Sequence, residues 1–138
     1  MDIIVQKLEK GNYIELEAIC REMVESEIRD IILKVAYETE SINVYAFVNY
    51  MKQKEKKDYW IKLAIDVMLG PLCFIEGAYS VALFHARELL NIERSVENLE
   101  RILFFYNIPE KLVDEKEAKI IAKEILVIDS ANAIALQI

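Results

Sequence analysis

One histidine, two cysteines and a carboxylate in an apolar setting are the residues of this chain that could do chemistry. His85 is followed at helical spacing by Glu88. A di-metal carboxylate site of the Glu-x-x-His type needs two such pairs from facing helices, so His85 and Glu88 supply half a motif. A zinc site needs three or four protein ligands, and Cys20 and Cys73 offer no close spacing to each other or to His85. A Cys–His nucleophile pair is disfavoured as well. On one continuous helix, Cys73 and His85 would lie about 18 Å apart along the axis. Glu76, within "CFIEGAYS", shares a side with Ser80 and Arg87 and would form a narrow polar stripe. Buried and unpaired its charge would be costly, so it should reach a hydrogen-bond partner across helices or face a ligand. No glycine-rich phosphate loop and no G-x-S-x-G elbow occurs. The chain therefore reads as a non-enzyme, with no catalytic residue, metal site or cofactor expected.

The elements that carry these residues are helical. The chain has 138 residues, of which 54% are hydrophobic, and only three glycines and two prolines. That suits one domain over 1–138 with packed helices. "SEIRDIILKVAYE" places Ile28, Ile31, Ile32, Val35 and Ala36 on one face. Ser41 predicts the cap of a helix with Val44, Phe47, Val48 and Met51 inward. Asp58 starts the next. Pro71 suits a first helical turn, and the apolar residues from Leu72 to Leu90 nearly encircle a central helix over 72–91. Gly77 inside it would admit a close neighbour or split it by a kink. Ser95 caps "VENLERILFFY", and "DEKE" reads as a capping box from Asp114 to Glu117. "SANAIALQI" is a short terminal helix. No strand alternation appears, and only "DIIV" near the start argues otherwise. The expectation is an all-α stack of about eight antiparallel helices.

"FHARELLNIERSVENLERIL" and "IIAKEILVIDSANAIAL" nearly repeat at a separation of 36 residues. Aligned, Ala82 meets Ala118, Ala86 meets Ala122, Glu88 meets Glu124, Leu89 meets Ile125 and Leu90 meets Leu126. Alanines one helical turn apart let a partner helix come close. The second phrase resembles the second helix and following turn of a tetratricopeptide repeat, with Ser130 in place of the family's proline and Asn132 and Ala135 fitting. Such repeats run about 34 residues. The resemblance implies degenerate helical hairpins near 72–106 and 110–138.

Net charge is −7 and the sequence pI is about 4.8. Nucleic-acid binding needs a basic face, so this balance argues against it, while it suits solubility or attraction to a basic protein. Residues 1–40 carry ten acidic and five basic side chains. The lysines of "MKQKEKKD" follow a helix, where cations suit the dipole. No apolar run reaches spanning length, and the first residues lack a secretion signal, so no membrane partner is expected and the two thiols suit the cytoplasm.

"ESINVYAFVNYM", "LCFIEGAYSVALFHARELL", "ILFFYNIPEKL" and "IDSANAIA" together resemble segments of small helical immunity proteins of bacterial contact-dependent and polymorphic toxin systems. The resemblance implies a cytoplasmic protein that binds a cognate basic toxin domain, often a nuclease, and occludes its active surface. A tetratricopeptide-like adaptor or regulatory subunit is the alternative. Candidate partner-binding residues are Glu25, Asp30, Glu38 and Glu40 in the acid-rich first third, with Glu76 and Tyr106. Tyr106 follows Phe104 and Phe105, and the three cannot all face one core.

Overall fold

The computed structural model describes residues 2–138. Among them every regular element is a helix: α1 Asp2–Glu9, α2 Tyr13–Arg21, α3 Glu25–Thr39, α4 Ile42–Glu55, α5 Asp58–Leu69, α6 Ala78–Ile92, α7 Val96–Asn107, α8 Glu115–Ile128 and α9 Ala133–Leu136. "DIIV" belongs to α1 and forms no strand. The chain divides into two units, residues 1–78 and 79–138.

In the first unit α4 packs on α5, and both meet α3. Of the face foreseen in α3, Ile28, Ile32, Val35 and Ala36 are buried and Ile31 is half-buried. Val44, Phe47, Val48 and Met51 of α4 are likewise buried. Ser41 caps α4 by accepting from the Asn43 N–H at 3.1 Å. An aromatic cluster fills the centre. Phe47 meets Trp60 edge-on at 6.3 Å and Tyr13 at 5.5 Å, and Tyr59 meets Trp60 at 5.1 Å. Such edge-to-face pairs match the negative ring face of one residue to the positive edge of another.

The segment 71–77 departs from the expected helix over 72–91. It is a chain of turns, with Leu72 N–H donating to Val67 O at 3.0 Å, Cys73 N–H to Gly70 O at 3.2 Å and Ala78 N–H to Ile75 O at 3.0 Å. Gly77 has φ +86°, a left-handed value that a right-handed helix cannot pass through. So α6 starts at Ala78, and Pro71 lies in the turn, not in a first helical turn. The apolar encirclement was an effect of reading turn and helix as one. Phe74 and Phe84 are exposed, Leu72 is buried in the turn, and α6 by itself has a solvent side. A Cβ at Gly77 would meet no atom within 4 Å. Gly77→Ala therefore tests backbone strain alone, and should cost about 1–2 kcal/mol, read as a lowered thermal midpoint.

In the second unit α7 packs on α8, and α9 on both. Ser95 caps α7 by accepting from Asn98 N–H at 3.1 Å, and Asp114 caps α8 by accepting from Glu117 N–H at 2.8 Å. The buried Asn98 amide closes the end of α6 by donating to Glu93 O at 3.0 Å. Only half of the foreseen capping box forms, because the Glu117 carboxylate turns to Arg87 with contacts of 2.6 and 3.1 Å. Arg94, just past α6, takes Glu124 in the same two-armed way, at 2.8 and 2.7 Å. Both bridges span the same sequence separation, so α6 and α8 run in the same direction.

The aligned phrases match in burial at most of their paired positions, although Leu90 is buried and Leu126 only half-buried. Ala82, Ala86 and Leu89 are buried, as are Ala118, Ala122 and Ile125. Ile92 and Ile128 are both exposed. The match ends beyond the helices, since α7 has 12 residues and α9 has 4.

Candidate functional site

The acid-rich first third becomes one side of α3. Asp30 and Glu38 stand on its solvent face with Glu27 and Tyr37, opposite the buried isoleucines. Lys34 lies between Asp30 and Glu38 on that face and partly offsets them. Glu40 is exposed and ends the helix with φ 51° and ψ 29°. A side chain is disfavoured in that left-handed region, where glycine is the usual cap. The same conformation occurs at Lys56 and Lys111, so it does not single Glu40 out.

Glu25, the first residue of α3, lines a cavity of about 130 Å³ with Cys20, Arg21, Met23, Glu55 and Trp60 among its walls. Three local arrangements build it. Tyr59 donates its hydroxyl to the Glu25 carbonyl at 2.5 Å, fixing the start of α3 to α5. Trp60 Nε1 donates to Glu55 Oε1 at 2.6 Å, which satisfies the buried indole. Glu17 holds Arg21, accepting from Nε at 3.2 Å, and accepts from the Tyr50 hydroxyl at 2.7 Å.

These surroundings set the ionisation. Burial, with the Glu55 charge, pushes the Cys20 thiol up to about 11, so it is not a nucleophile at neutral pH. Burial and the neighbouring Glu25 push the Tyr59 phenol up to about 12. Hydrogen bonds from Arg21 and Tyr50 hold the Glu17 carboxyl below its ordinary value. The cavity thus combines Met23, Ile28 and two aromatic side chains with charges of both signs from Arg21, Glu25, Glu55 and Lys57. It can take one side chain of a partner, as pockets at interface centres do.

Glu76 is not where the sequence suggests. It lies in the turn before Gly77, exposed, and not on α6, so the stripe Glu76–Ser80–Arg87 does not form. For the same reason Cys73, exposed in that turn, shares no helix with His85. His85 is fully buried, its Nδ1 2.5 Å from Glu88 Oε1. Among the described residues no group of three or more His, Cys, Asp or Glu is placed to hold a metal ion. Tyr106, in the second unit, is half-buried. Lys111 Nζ sits 4.3 Å over its ring and donates to its carbonyl at 3.2 Å.

Sequence reasoning missed the cavity. Cys20, Glu55 and Trp60 come from three separate helices or their ends and share no spacing. It also missed Tyr37, whose place in "KVAYETE" puts it on the α3 face beside the acids. Among the described residues no helix is long and apolar enough to cross a membrane. The chain matches no family model, no curated protein and no solved structure. Its class is therefore that of an all-α protein with an acidic helix face beside a small mixed cavity.

Proposed function

We propose that the protein is an immunity protein, acting in the cytoplasm, that neutralises a cognate toxin domain by covering the basic surface with which that toxin, a nuclease, holds its substrate. The exposure of Asp30, Glu38 and Glu40 along and just beyond α3, with a side-chain-sized cavity at the other end of the same helix, carries this reading. The acids would steer encounter, and an anchor in the cavity would slow release. A repeat-like adaptor or regulatory subunit that binds a peptide is a second reading, favoured by the shared burial pattern of α6 and α8.

Stopped-flow association with the toxin domain captured from native cells tests the first reading. The rate should fall steeply from low to high salt, since charges farther apart than about 8 Å are screened at physiological strength. The double variant Asp30→Lys, Glu38→Lys should associate about tenfold more slowly at low salt. Glu40→Gly should relieve the left-handed strain and raise stability by about 1 kcal/mol while slowing association. A rate indifferent to salt and to all three changes would mean that the acidity serves solubility alone.

A further inference from the structure

We infer that the outer ridge of α8 is a second docking surface, of opposite sign, for an acidic amphipathic helix. The inference is independent of the toxin reading. Lys116, Ile120, Lys123 and Val127 follow one another at helical spacings of four, three and four, so they form a single ridge that alternates cation and apolar side chain. All four are exposed, Ile120 at 58% and Val127 at 87%.

Charge pairing shows why the ridge is selective. All three carboxylates of α8 are already engaged. Glu117 is held by Arg87, Glu124 by Arg94, and Glu115 by Lys119 at 2.9 Å. Hydrogen bonds from Arg94 and Lys119 hold the Glu124 and Glu115 carboxyls below their ordinary values. Lys116 and Lys123 have no such partner among the described residues. On a chain of net charge −7 this leaves two exposed lysines on the ridge without an ion pair. The two-armed bridges to α6 also fix α8, so the ridge is presented on a rigid support.

The complementary surface is a helix bearing carboxylates at i and i+7 and large apolar residues at i+4 and i+11. Each carboxylate would meet a lysine, and each apolar residue would cover Ile120 or Val127. A second copy of this chain fits worse, because two such ridges facing each other bring lysine toward lysine. An anionic membrane fits worse too. The ridge has only two large apolar side chains and no aromatic anchor, and the chain as a whole is acidic.

The test uses the full chain and two labelled helical peptides, one with Glu at i and i+7 and Leu at i+4 and i+11, the other with Lys replacing Glu. Fluorescence anisotropy should show the Glu peptide binding at least about tenfold more tightly, with the preference shrinking as salt rises. Ile120→Ser with Val127→Ser should weaken it by about tenfold or more. Lys116→Glu with Lys123→Glu should reverse the preference toward the Lys peptide, a gain of binding that misfolding cannot mimic. Equal binding of both peptides, or no reversal in the charge-swapped chain, overturns the inference. So does self-association in sedimentation that the Ile120 and Val127 changes abolish, or co-sedimentation with phosphatidylserine vesicles that outcompetes the Glu peptide.

Discussion

Replacing Trp60 by alanine should lower the stability of the fold by about 3–5 kcal/mol, the range for a buried Trp or Phe truncated in a core. Total stabilities lie near 5–15 kcal/mol, so this is a large share. Trp60 is almost fully buried, packed edge-on against Phe47 and Tyr59, and its Nε1–H satisfies Glu55. Truncation removes the ring contacts and frees the Glu55 oxygen at the same time. Trp60→Phe should cost less, because it keeps the ring packing and loses only the hydrogen bond and some volume. Trp60 is the chain's single tryptophan, so urea denaturation must be followed by far-UV circular dichroism. Because Trp60 also walls the cavity, either variant should speed release of the proposed partner more than it slows association. Equal stability of the alanine variant and the parent would show that this ring does not organise the first unit.

Overpacking the repeated alanines is the second large effect. Ala86→Leu and Ala122→Leu should each cost about 1–3 kcal/mol, since three extra carbons must enter space that is already filled. Ala86 is fully buried and Ala122 is 5% exposed, so the Ala86 change should be the larger. Ala122→Gly is a useful companion, because it removes one methyl and should lower the midpoint by helix propensity, about 1 kcal/mol. Unmoved melting midpoints for both leucine variants would show that neither helix is closely approached at these positions.

Much of the fold was legible because helix boundaries depend on local chemistry. Ser41, Ser95 and Asp114 cap where their side chains can reach a free N–H two or three residues on, and that reach is a property of the residue and its spacing. The face of α3 was legible for the same reason. What failed was set by backbone or by distant partners. "PLCFIEG" has the composition of a buried helix, yet its turns are held by main-chain hydrogen bonds that no side chain announces. The left-handed φ of Gly77 is allowed by its type but not dictated by it. Glu117 fits the capping-box pattern but finds a better partner in Arg87, which tertiary packing brings near. The exposure of Asp30, Glu38 and Glu40 followed from helical period and charge, whereas Glu76 was misplaced together with its helix.

The most direct test of the proposed role is survival of cells that express the product of the neighbouring gene, the candidate toxin domain, with and without the chain. Co-expression should restore growth, and the Asp30→Lys, Glu38→Lys variant, shown by circular dichroism to be folded, should restore it poorly. A neighbouring product that is harmless alone, or toxicity that the intact chain leaves unchanged, would contradict the proposal.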